Sequence, residues 1–108
     1  MKVNNALLLV AVKESQKTGH ATQYLTESIG IIATRYSTFK QWGKPEHSDY
    51  RDEMVTTAII DMNKAWDKII VDRLANPFTY LATATCHAFF KTARKYDPDF
   101  TYETGANL

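Results

Sequence analysis

The chain has 108 residues, enough for one domain with a single modest core. Apolar residues make up 44% and charged residues 23%, an ordinary globular balance, and a formal net charge of +1 excludes a polycation. Any anion-binding surface must therefore come from local segregation of charge. A lone cysteine, Cys86, excludes an internal disulfide and fits a reducing cytoplasm.

The longest apolar run, residues 6–12, is too short to span a bilayer. Lys2 before it gives a faint signal-peptide pattern, but Lys13 and Glu14 follow at once and no small-residue cleavage site is present. The spacing predicts a first helix capped by Asn5, running to about Lys17 and stopped by Gly19. Its nearly continuous apolar residues predict that it is largely buried. Thr22 is placed to cap a second helix to about Thr38, with Leu25, Ile29, Ile32, Tyr36 and Phe39 as one apolar stripe. Gly30 beside that stripe weakens the helix by roughly 1 kcal/mol relative to Ala and suggests a close helix approach.

Residues 40–47, holding Gly43 and Pro45, read as a loop. Ser48 or Asp49 then caps a third helix, with Asp52 and Glu53 set against the positive end of its dipole. Tyr50, Met54, Ala58, Met62, Ala65, Trp66 and Ile69 form its stripe, widened by Val55 and Ile59. Asn76 as cap and Pro77 at the first helical position open a fourth helix. Phe78, Leu81, Thr85, Ala88, Phe89 and Tyr96 line one of its faces, and Lys91, Arg94 and Lys95 favour its C-terminal end. Pro98 stops it. No hairpin signal is present, so the expected fold is all-α: a compact orthogonal or bundle-like packing of four helices over residues 1–96, with a flexible acidic tail at 97–108.

Enzyme chemistry finds no foothold. His20, His47 and His87 are scattered, and Cys86 and His87 point about 100° apart on a helix, so they cannot share a metal. Cys86 reads as a small packing residue, the carboxylates as caps and solvated groups, and no Gly-rich phosphate loop exists. No cofactor is expected. The fourth helix stands out instead. Its basic end is either a solvated face favoured by the dipole or an anion-binding surface, and Thr83, His87 and Phe90 flank the core stripe where bases would be met.

The order of elements resembles the second conserved region of bacterial sigma factors. Lys64, Ala65, Asp67 and Lys68 match the Lys-Ala-x-Asp-Lys end of that region's docking helix. Phe78, Thr79, Tyr80 and Leu81 stand where those proteins open the helix that reads promoter DNA. The chain is more similar still to the late-transcription sigma factors of T-even-type bacteriophages. The shared residues are Val3, Asn4 and Asn5, then Glu53 and Met54, then Asn76, Pro77, Tyr80, Ala88 and Phe89, with no gap from Glu53 to Phe89.

The resemblance implies a non-catalytic specificity factor in the host cytoplasm, working on a minus-ten-type late promoter element. It implies docking on the β′ clamp helices of the host RNA polymerase core through Glu53, Thr56, Thr57, Ile59, Asn63 and Lys64. The Gln-Glu pair of primary sigma factors is replaced here by Thr56 and Thr57, leaving Ile59 as an exposed apolar contact. Promoter DNA falls to Tyr80, Thr83, His87 and Phe90, with Lys91, Arg94 and Lys95 on phosphates. The two tryptophans with which primary sigma factors help open the duplex are Thr83 and Ala84 in this chain. Phe100 and Tyr102, within the segment 99–103, resemble the acidic-aromatic anchors by which the phage factors bind the DNA sliding clamp. No separate domain for a minus-thirty-five element is expected, which implies a short promoter element or a late co-activator. The alternative is a small helical polymerase-binding modulator or inhibitor without promoter recognition. A third reading, a stand-alone helical DNA-binding regulator, sits poorly with so small a net charge.

Overall fold

The computed structural model describes residues 2–71 and 76–100, apart from the side chains of Lys40 and Gln41. Four helices, α1 (Asn5–Thr18), α2 (Gln23–Ser37), α3 (Arg51–Ala65) and α4 (Pro77–Tyr96), make an all-α domain with no strand among the described residues. The antiparallel pair α3 and α4 forms the most extensive contact, and α2 packs on both. No helix among the described residues is long and apolar enough to cross a membrane.

The cap of α1 is Asn4, one residue earlier than expected, its side chain accepting from the Leu7 N–H at 3.1 Å. Asn5 is used elsewhere. Its Oδ1 accepts from the Phe78 N–H at 3.1 Å while Asn76 accepts from Thr79 at 3.0 Å, so two asparagines satisfy orphan donors at the start of α4. Gly19 closes α1 in the left-handed region at φ 83°, its N–H on the Ser15 carbonyl. The buried Ser15 hydroxyl donates to Ala11 and accepts from the Thr22 N–H, tying α1 to the cap of α2.

The expectation of a largely buried α1 is corrected. Only Leu8, Ala11, Val12 and Ser15 are buried, while Leu7 and Val10 are 55% and 58% exposed. The helix lies at the edge of the domain, so its neighbours cover one stripe and leave the opposite apolar residues in solvent. The stripe of α2 is buried at Leu25, Ile29 and Ile32 but frays at Phe39, which is 54% exposed. Gly30 permits no close approach: a Cβ placed there meets nothing within 4 Å.

Residues 40–50 form two short 3-10 turns. Because the chain already turns helically up to Tyr50, α3 begins without a side-chain cap, and both Ser48 and Asp49 are exposed. Arg51 secures the segment, donating to the carbonyls of Ser37, Trp42 and Lys44 at 2.8–3.1 Å. At Gly43 a Cβ would lie 2.6 Å from the Thr38 oxygen, so the two backbone segments meet only because no side chain is there. At the other end of α3 the chain tightens into a 3-10 turn over Trp66–Lys68, and Gln16 of α1 donates to the carbonyls of Trp66 and Ile69, both at 2.9 Å.

The core is closed by Leu8, Leu25, Ile29, Ile32, Met54, Met62, Leu81 and Phe89, all at most 2% exposed. Trp42 meets Phe89 edge to face at 5.5 Å between centroids. The buried threonines of α4 are satisfied within their own helix, Thr85 donating to Leu81 and Thr92 to Ala88.

Two glycine substitutions separate these environments. Gly43→Ala should destabilise the domain by about 1–3 kcal/mol, since backbone must move. Gly30→Ala should stabilise it by about 0.5–1 kcal/mol, the helix-interior difference with no clash to oppose it. Urea unfolding midpoints of the two variants, expected on opposite sides of wild type, provide the check.

Candidate functional site

The inner face of α4 is consumed by the core, which fixes what its outer face presents. Tyr80, Thr83 and His87 follow at steps of three and four on that outer face, and all three are exposed. With Ala65, Asn76, Thr79 and Ala84 they line one shallow groove between the end of α3 and the first half of α4. Two alanines, an asparagine, two threonine hydroxyls, a tyrosine ring and an imidazole make up its lining. Such a groove offers a stacking surface and hydrogen-bonding groups without a built-in charge.

The C-terminal half of α4 is arranged differently. Phe90, expected beside His87 on the DNA side, is half-buried, its ring 5.7 Å from Phe100 and under the Arg94 guanidinium at 5.6 Å. Lys91 and Lys95 are exposed but engaged. Lys91 Nζ lies 3.1 Å from Asp61, and Lys95 Nζ 2.8 Å from Glu53. The Tyr96 hydroxyl also donates to Glu53 in a short hydrogen bond. Glu53, Thr57 and Asp61 recur every four residues, so α3 sets a row facing the cations of α4.

This divides the expected docking residues of α3. Thr56, Asn63 and Lys64 are exposed, with Asn63 donating to its own Ile59 carbonyl at 2.9 Å. Glu53 is turned toward α4, and Thr57 lies half-buried on the same row. The expected exposure of Ile59 is corrected: it packs partly buried against the core, and Ile60, 48% exposed, is the isoleucine that α3 presents beside Thr56 and Lys64. The period-3.6 stripe of α3 is wide enough to take in Ile59 but not its successor.

Sequence reasoning also missed His47. It is 1% exposed in the segment read as a loop, with Nδ1 at 2.7 Å from the Tyr50 hydroxyl and the rings of Trp42 and Phe100 alongside. The signal available was the pairing of Trp42 and His47 around a Gly-Lys-Pro turn, aromatics that a solvated loop has no use for. Phe100, one of the two expected clamp anchors, is seated on this cluster, and Tyr102 lies outside the described residues. Burial raises the pKa of the half-buried Cys86 thiol, an effect the Trp42 hydrogen bond opposes. Among the described residues no group of three His, Cys, Asp or Glu is assembled that would hold a metal. No family model, curated protein or solved structure matches this chain.

Hydrogen bonds from Lys95 and then Tyr96 hold the Glu53 carboxyl below its usual 4.5, and the hydrogen bond to Glu53 raises both Lys95 and Tyr96. A lowered carboxylate contributes stability above its unfolded pKa and loses it as pH falls through the folded value. The raised lysine and tyrosine contribute below their unfolded values and lose it as pH rises through the folded ones. The stability difference between wild type and Glu53→Gln should therefore be level from about pH 5 to about pH 9 and shrink on either side. Thermal melts of both proteins across that range provide the measurement, and a pH-independent difference contradicts the assignment.

Proposed function

We propose that the chain is a sigma-like specificity factor of the phage late-transcription kind, which docks on the β′ clamp helices of the host RNA polymerase core through α3 and holds a minus-ten-type promoter element on α4. The observation that carries this reading is the outer surface of α4. Tyr80, Thr83 and His87 share one groove in its first half, Lys91, Arg94 and Lys95 stand at its far end, and no carboxylate lies on the helix. The groove suits unstacked bases, which a tyrosine ring can stack upon and Thr83 and His87 can hydrogen-bond. The cations suit the flanking phosphates, a salt-sensitive contribution that is indifferent to sequence.

The four helices in the expected order, with α3 and α4 paired, support the same reading. Thr56, Ile60, Asn63 and Lys64 leave α3 a mixed polar and apolar outer strip on which a partner helix can lie while α4 stays accessible. Exposed ion pairs contribute little in water and weaken with salt, so the carboxylates of Asp61 and Glu53 are displaceable by a phosphate backbone.

One observation favours the second reading, a polymerase-binding modulator without promoter recognition: two of the three cations of α4 are already engaged by α3. A modulator needs α4 only as core and as partner for those acids.

Two variants discriminate. Thr56→Arg with Lys64→Glu alters the outer strip of α3 without removing a contact to the rest of the domain. It should abolish co-purification with the polymerase core, and binding unaffected by it sinks the docking surface. Lys91→Glu with Arg94→Glu should leave polymerase binding intact and abolish promoter-directed transcription. If transcription is equally affected with and without that second pair of substitutions, the modulator reading stands instead.

A further inference from the structure

After α4 the chain does not leave the domain. The Asp97 N–H still bonds to the Ala93 carbonyl at 2.8 Å, and the Phe100 N–H then returns to the Asp97 carbonyl at 3.0 Å. This four-residue turn has Asp first and Pro second, the residues such turns favour, and the Asp97 side chain accepts from the Asp99 N–H at 3.2 Å. The turn carries Phe100 back onto the domain. Its ring lies 5.4 Å from His47, 5.7 Å from Trp42 and 5.7 Å from Phe90, and it is half-buried against the core.

The socket is built before Phe100 arrives. Trp42 is held by Phe89 and by the Arg51 bond to its carbonyl, and His47 by the Tyr50 hydroxyl. Phe90 is the member with a second use, because it follows His87 on α4 and carries Arg94 over its ring. Phe100 and Arg94 thus both lie against the aromatic side chain one turn beyond His87, past the C-terminal end of the groove.

We propose that residues 97–100 are an autoinhibitory strap: by seating Phe100 on Trp42, His47 and Phe90, the strap withholds Phe90 from nucleic acid. The inference rests on the nucleic-acid reading of α4 and adds regulation of that surface. A partner that takes Phe100 as an aromatic anchor removes the strap by competition, because one ring cannot fill two pockets. Capture of the segment and opening of the downstream half of α4 are then a single event.

The test uses the full chain as wild type, Phe100→Ala, and Phe100→Ala with Phe90→Ala. Hydrogen exchange of the two tryptophan indole N–H groups, followed by NMR, reads the socket directly. Phe100→Ala should speed exchange at Trp42 roughly tenfold and leave Trp66, remote from the strap, unchanged as an internal control. Affinity for a fluorescein-labelled single-stranded oligodeoxynucleotide should rise about fivefold in Phe100→Ala and fall back in the double variant. Unchanged exchange at Trp42 overturns the seating of Phe100 and with it the strap. Faster exchange with no gain in affinity, while wild type binds the oligonucleotide, overturns autoinhibition and leaves a structural turn. Faster exchange with no binding by any variant overturns the strap as a regulator because the nucleic-acid reading of α4 has itself failed.

Discussion

The arrangement of the whole surface depends on the burial of one face of α4. Leu81, Thr85, Ala88, Phe89, Thr92 and Ala93 are fixed against α3, α2 and Trp42, which leaves the helix no freedom to rotate. At 3.6 residues per turn, that constraint sends Tyr80, Thr83 and His87 to the outside and puts Lys91 and Lys95 along the seam with α3. The threonines within the buried face are tolerated because each hydroxyl donates to the carbonyl one turn back, so polarity is placed in the core without an unmet bond. Part of an otherwise unusual helix composition follows from a core that needs small side chains there.

Much of the fold was legible in the residues themselves. Thr22, Asn76, Pro77 and Gly19 mark helix ends by local chemistry, because a cap acts on donors two or three residues away, and all four act as read. What failed to show was whatever depends on distant chain. Asn5 looks like a cap for the helix it begins, yet its side-chain oxygen accepts from the Phe78 N–H, seventy-three positions later. Ser48 and Asp49, a local exception, have the right chemistry for caps but lie inside a 3-10 turn that runs straight into α3 and removes the need. The apolar density of α1 gives no hint that only one side has neighbours.

The same distinction governs the candidate site. Periodicity places Thr83, His87 and Phe90 on one flank of the helix and the resemblance adds Tyr80; one groove takes in Tyr80, Thr83 and His87. Phe90 belongs to the same helix but its environment is set by Phe100, so its exposure was beyond the reach of helical spacing. Glu53 and Lys95 were read as members of two different surfaces, and the antiparallel packing of α3 on α4 joins them. The error between Ile59 and Ile60 has another source. A helix stripe is a band, not a line, and neighbouring isoleucines at its margin are separated only by the width of the facing helix.

A net charge of +1 finally takes on a structural meaning. Charge segregation in this chain is achieved not by excluding acids from the vicinity of the cations but by lodging them on the neighbouring helix, where Asp61 and Glu53 answer Lys91 and Lys95. Such a surface has a weak field at a distance, so it does not draw nucleic acid by long-range steering. Under the proposed function its positive character emerges only on close approach, when a phosphate replaces a carboxylate as the partner of each lysine. Anything that occupies Glu53 from outside has the same effect on Lys95. Under the proposed reading, a polyanion on α4 and any group that occupies Glu53 compete within one ion pair, and that pair couples the two helices.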